Sequence, residues 1–314
     1  MFVTTNQPID REHIERLLFA AAPERKADIQ ALWDQYKPEF WFKCDKPGIT
    51  FLAKGNQIHL SAKTLAAVWL LGFAAWKIFA CHSPHLLWSF VSKQDIDDEM
   101  LRQDEGLYEA KGVFREILAT VEDLLKAPSL DDVNWPSDIP RQQADKIGFD
   151  TEQQATFDVT MIATAYLLLH ELKHVMFSAD DAHRPEAPQE ELACDAFARD
   201  FLLSNSASFA ASSGYPPGKV LTKRAMGVAL GAFIVYELTS PEGRAGNADY
   251  PPICDRLEQL MTAIEVDGDS CFWDWTGTLL LATLHRIDAG ATVPQSEPRE
   301  TCKYLINTIR EKTF

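Results

Sequence analysis

Near the middle of the chain, His170-Glu171-Leu172-Lys173-His174 sets two imidazoles and one carboxylate at a spacing that supports metal chemistry. Residues four apart on an α-helix share a face, so the rings of His170 and His174 can reach one ion together. Glu171 is turned by roughly 100° from His170, which aims its carboxylate at a water on the metal rather than at the metal. Met161 to Leu169, just before, contain no helix breaker and would bury such a helix in a core. The ion implied is Zn2+, which in hydrolases takes three protein ligands and keeps a fourth position open.

A second segment reads Glu190-Glu191-Leu192-Ala193-Cys194-Asp195, followed by the apolar Phe197, Phe201 and Leu202. Glu191 and Asp195 are also four apart on an expected helix. Glu191 can then serve as the third ligand, and Asp195 can accept the outer ring N–H of a ligand histidine, fixing its tautomer. By itself such a pair would read as a solvated helix face. Placed after H-E-x-x-H, across the short loop 180–188, it reads as the rest of a site. Three rivals for the third ligand are Glu190, whose neighbour four residues on is Cys194; His183 in the loop; and Cys194 as a thiolate, off the Glu191–Asp195 face. Phe177 stands where an H-E-x-x-H-x-x-G-x-x-H site requires glycine.

The strings HELKHVMF and EELACDAFARDFLL resemble the gluzincin metallopeptidases, and more specifically the Lit-type phage-exclusion peptidases, with a more distant likeness to the ImmA/IrrE regulatory proteases. The specific resemblance covers roughly Leu167 to Leu203, and the N-terminal half shows none. Tyr250-Pro-Pro-Ile-Cys-Asp-Arg256 is a weaker echo of the His-Pro-Pro…Arg segment of several gluzincins, with Tyr in place of His. It nominates Tyr250 as a second donor to a developing oxyanion, with Arg256 behind it. A plain helix-start turn with Arg256 in a structural ion pair is the competing reading. The Lit-type resemblance implies a cytoplasmic endopeptidase that cleaves translation elongation factor Tu during phage infection, in a complex with a phage-derived activating peptide. Two other functions stay open. One is an ImmA/IrrE-like protease that cleaves a repressor, although no basic recognition helix is present. The other is a catalytically silent binding protein on a zincin scaffold, against which the intact Glu171 speaks.

The elements that must position these residues are mostly helical. Asp10 to Tyr36 shows helical periodicity. Ile49 to Leu60 reads as a β-hairpin turning at Gly55-Asn56. Ser61 caps an apolar helix from Ala62 to about Ala80, which His82-Ser83-Pro84-His85 should break. One long or two short helices fill Asp95 to Lys126. Ala127 to Arg141, rich in Pro, Asp and Ser, is a loop and the best boundary. Further helices are expected over Thr151–Phe177, Pro188–Leu203, Leu221–Leu238, Pro251–Val266 and Phe272–Ile287. The expected fold is therefore α+β and predominantly helical: a zincin-like core with a small sheet and two ligand-bearing helices. Residues 1–126 would form a helical, hairpin-bearing substrate or regulatory region and 142–314 the peptidase core, unless the two make one integrated domain.

Composition narrows the partners. The chain has 314 residues, 46% of them apolar, and a net charge of −16. Such an acidic surface disfavours nucleic acid and anionic membranes. The apolar run Leu65 to Trp76 is shorter than the roughly 20 residues a span needs, so no integral span is expected. The six cysteines are scattered, as for free thiols in a reducing compartment. The polar N-terminus lacks the pattern of a secretory leader.

Overall fold

The computed structural model describes residues 6–44, 46–102, 104–142 and 145–313; the first five residues, part of the stretch read as leaderless, lie outside them. The described chain is mainly helical with one small mixed sheet. In order, the elements are β1 (Gln7–Pro8), α1 (Arg11–Ala21), α2 (Lys26–Tyr36), β2 (Glu39–Lys43), β3 (Phe51–Lys54), β4 (Gln57–Ser61), α3 (Ala62–Ser92), α4 (Asp98–Arg102) and α5 (Glu105–Lys126). Then come α6 (Thr151–Ala179), α7 (Ala187–Leu203), α8 (Ser206–Ser213), α9 (Pro217–Leu238), α10 (Ile253–Thr262), α11 (Cys271–Ile287) and α12 (Pro298–Thr313).

The hairpin forms as its sequence dictates. Gly55 takes φ +62° at the turn, a conformation that costs glycine little, and β3 and β4 pair antiparallel with Ala53 opposite Ile58. The sheet is larger than the hairpin. Its order is β1-β2-β4-β3. Strand β2 runs parallel to β4 and antiparallel to β1, which leaves β3 as an edge that, among the described residues, pairs with β4 alone.

Ser61 caps α3 by accepting from the Thr64 backbone N–H. The helix then continues through Pro84 to Ser92, past the expected break. Tertiary packing overrides the missing proline N–H. Trp76 and Phe79 pack at tilted angles against Trp275 of α11, and Ser83 donates to Asp274. Thus lengthened, α3 is long and apolar enough to cross a membrane by composition, yet 67% of its most apolar window is buried inside the fold.

Helices α3, α6, α9 and α11 pack together around a common core. Two approaches are close enough to demand glycine. A Cβ on Gly72 of α3 would stand 2.1 Å from Thr160 Oγ1 of α6, and one on Gly231 of α9 would stand 2.5 Å from the Tyr166 ring. Helix α6 is therefore gripped from both sides over the turns that precede His170. Its start is fixed by a capping box between Asp150 and Gln153. The segment 127–141 carries only a 3-10 turn at Leu130–Asp132. It is tied to α3, since the buried Lys63 ammonium donates to Ala127 O and Trp69 Nε1 donates to Pro140 O. The six cysteines are free thiols.

Candidate metal centre and cleft

Helices α6 and α7 pack side by side and bring the two motifs together. The Nε2 atoms of His170 and His174 lie 3.2 Å apart. The Glu191 carboxylate reaches both, with Oε2 3.5 Å from His170 Nε2 and Oε1 3.4 Å from His174 Nε2. Donors about 2.0–2.1 Å from a tetrahedral ion stand roughly 3.3 Å from one another, so these three atoms are spaced as a ligand set for one such ion.

Each histidine is held from behind. Asp195 Oδ1 lies 2.9 Å from His170 Nδ1, and Glu190 Oε1 lies 2.7 Å from His174 Nδ1. This leaves each Nε2 turned toward Glu191, the geometry in which carboxylates orient histidines that hold a metal. Asp195 is itself braced: Tyr166 donates to Oδ1 at 2.7 Å, and Arg256 donates through Nε to Oδ2 at 2.7 Å and through Nη2 to Oδ1 at 2.8 Å. Arg256 Nη1 also lies 3.0 Å from Glu191 Oε2.

The electrostatics follow from these contacts. Burial would raise the Asp195 carboxyl, but Arg256 and His170 outweigh it and hold the group well below its ordinary value. Burial works against Glu191 in the same way and loses to His170 and His174. Burial opposes the charged form of His170, yet Asp195 and Glu191 lift it to about 9. Burial raises Glu171 despite the two histidines, and the Ala53 backbone N–H on the edge strand β3 counters that rise.

Cys194 is the alternative third donor, because its Sγ groups with ring nitrogens of both histidines within 4.8 Å. Its thiol, however, is pushed far above the ordinary range by burial and by Glu191, and zinc binds the thiolate. The Glu191 oxygens are already anionic, so the carboxylate fits better. His183 is exposed and paired with Asp180; it takes no part in the cluster.

The cluster forms the floor of a cleft of about 440 Å³. One wall is the β3 edge, Phe51 to Ala53, and another is apolar, with Val68, Leu167, Ile234 and Leu238. Tyr250 lines the mouth. It rides on a turn in which the Asn247 side chain accepts the backbone N–H groups of Asp249 and Tyr250. Gly246, at φ +74°, lets the turn close, since a Cβ there would stand 2.6 Å from Tyr250 O. Burial and the nearby Glu191 raise the Tyr250 phenol. Arg256 lines the back of the cleft, where it is committed to Asp195 and Glu191.

Sequence reading missed three participants. Glu190, a rival ligand by sequence, instead lies against His174 Nδ1 and orients that ring. Arg184 grips Glu190 through Nε at 2.6 Å and Nη2 at 3.1 Å. Tyr166 precedes His170 by one helical turn, so its place on the metal face could have been read from spacing.

The sequence of the chain places it in a known class of hydrolase, the peptidases. Residues 58–276 match the model of the family Peptidase U49, and the chain belongs to that family. It is 24% identical over 225 residues to the cell death peptidase of Escherichia coli (strain K12), a match that covers 70% of this chain and 69% of that protein. No solved structure matches. The Lit-type resemblance of the two motifs holds, but its reach is much longer than Leu167 to Leu203: the family match starts in β4 and takes in α3 and α5.

Proposed function

We propose that the chain is a zinc-dependent endopeptidase whose metal is held by His170, His174 and Glu191. The observation that carries this reading is the mutual spacing of the three donors at 3.2, 3.4 and 3.5 Å, with both outer ring nitrogens on carboxylates. Bound there, zinc would supply Lewis-acid polarisation of a water and of the scissile carbonyl. Glu171 takes the proton of the attacking water and hands it to the leaving amine, first as base and then as acid. Its raised pKa suits that double role. Tyr250, at the cleft mouth, donates to the oxyanion that develops. Arg256 keeps Glu191 and Asp195 ionised and in place. The edge of β3 along the cleft accepts an extended substrate as an added strand.

The substrate is a cytoplasmic protein. The Lit-type resemblance names elongation factor Tu, cleaved during phage exclusion once a phage-derived peptide has completed the complex. The resting protein is narrow in specificity. The test is to incubate the wild type and Glu171→Gln with lysates of infected and uninfected bacteria, with and without chelator, and to identify new protein termini by mass spectrometry. One or few cuts, elongation factor Tu among them, should depend on infection, metal and Glu171. Turnover retained in Glu171→Gln rules out the assigned base. Broad chelator-sensitive digestion of casein by the isolated protein rules out the narrow specificity.

A further inference from the structure

The pair Glu190–Arg184 is absorbed by none of the steps above. Glu190 sits at the first turn of α7, 4% exposed, and Arg184 reaches both of its oxygens. Oε1 meets His174 Nδ1 at 2.7 Å and Arg184 Nη2 at 3.1 Å, and Oε2 meets Arg184 Nε at 2.6 Å. Arg184 comes from the loop between α6 and α7, and its side chain is 44% exposed. It also lines the cleft. A bidentate guanidinium–carboxylate pair fixes both groups in one plane. The loop is thereby strapped to the carboxylate that sets the His174 ring.

We infer that Arg184 and Glu190 are positioning residues that set how long the metal stays bound, by locking His174 with Nε2 toward the ion. The strap is independent of the Tyr166–Asp195–Arg256 brace on His170, since the two share no residue. The centre thus has one rigid mount built wholly from helices and one whose anchor lies on a loop open to solvent. His174 is the ligand whose orientation is held from the solvent side, so release of the metal begins with the Arg184–Glu190 strap. The lock acts on geometry, because Glu190 stays outside the ligand set: its Oε1 is occupied by the nitrogen of His174 that faces away from Glu191.

The inference rests on the metal reading, so its experiment separates the two. The wild type, Glu190→Ala, Arg184→Ala, Arg184→Lys and His174→Ala are each incubated with zinc, freed of unbound metal and mixed with excess chromogenic chelator, and any metal is followed as it leaves. Circular dichroism of each metal-free form reports folding. Glu190→Ala should take up metal and release it about 10–100 times faster than the wild type, the size of effect expected of a group that orients a ligand. Arg184→Ala should release it several-fold faster, with a metal-free form as stable as that of the wild type. Arg184→Lys, a point charge without the bidentate fork, should fall between Arg184→Ala and the wild type. A wild type that binds no metal would refute the zinc reading itself. A metal-binding wild type with unchanged release from Glu190→Ala and Arg184→Ala overturns the positioning role. Glu190→Ala as empty as His174→Ala overturns it in the other direction, by making Glu190 a ligand.

Discussion

The Tyr166 hydroxyl donates to Asp195 Oδ1 at 2.7 Å, and the same oxygen lies 2.9 Å from His170 Nδ1. One buried carboxylate oxygen thus joins a tyrosine and a histidine that stand one turn apart on α6, and Arg256 neutralises it from the far side. The ring of that tyrosine presses on Gly231 of α9, a residue with no chemistry of its own.

Gly231 should therefore report on the metal. Gly231→Ala drives a Cβ to 2.5 Å from Tyr166 Cδ1, while Gly227→Ala, one turn earlier, drives one to 2.4 Å from Ile162 Cγ2. Both should cost about 1–3 kcal/mol of stability by overpacking. Only Gly231→Ala should also weaken metal binding, by up to about tenfold, because it displaces a group that orients Asp195. Metal titration of the two variants checks this; equal affinities would detach Tyr166 from the centre.

Metal uptake should be linked to pH through His170. In the metal-free protein its pKa is raised to about 9, so the ring is protonated at neutral pH and must lose that proton to bind a metal. Affinity should rise from pH 7 to pH 9 and then level off. The sign for stability is opposite. A histidine whose folded pKa exceeds its unfolded value of 6.5 stabilises fully below pH 6.5, and that contribution is lost as pH rises through about 9. The melting temperature of the metal-free protein should fall across this window, and the metal-bound form should fall less. Scanning calorimetry of both forms between pH 6 and 9.5 decides it.

Much of the centre was legible because its logic is local. H-E-x-x-H and the Glu191–Asp195 pair each depend on residues four apart on one helix, and the hairpin and its Ser61 cap depend on a turn and a hydroxyl. What escaped was non-local. Pro84 reads as a stop, and it is carried inside α3 by side chains from α11, nearly two hundred residues away in sequence. Strand β2 is five residues long and pairs in parallel with β4, a link that no turn sequence announces. The place of Glu190 depends on His174 and Arg184, which lie on another helix and a loop. Helix α12, with buried Cys302, Leu305, Ile306 and Ile309, does carry an amphipathic pattern that was open to reading.

Away from the site, Asp274 is a buried carboxylate with one oxygen satisfied by Ser83 and the other, Oδ1, lacking a hydrogen-bond partner among the described residues. Burial pushes its pKa up to about 6. A carboxyl whose folded pKa is raised costs the fold stability as pH climbs from its unfolded value of 3.8 through about 6. Asp274→Asn keeps an acceptor for Ser83 and removes the charge. It should raise the melting temperature by about 2–5 °C at pH 7.5 and leave it nearly unchanged at pH 4.5. A variant less stable than the wild type at pH 7.5 would show that the charge is better compensated than the geometry indicates.

The central claim is that two histidines and Glu191, rather than Cys194, hold one metal ion. It is tested most directly by elemental analysis of the purified wild type, His170→Ala, His174→Ala, Glu191→Ala and Cys194→Ser, each shown to be folded. The wild type and Cys194→Ser should hold about one zinc per chain, and the three other variants should lose it. Full zinc in Glu191→Ala together with loss from Cys194→Ser would contradict the account and move the third ligand to the thiolate.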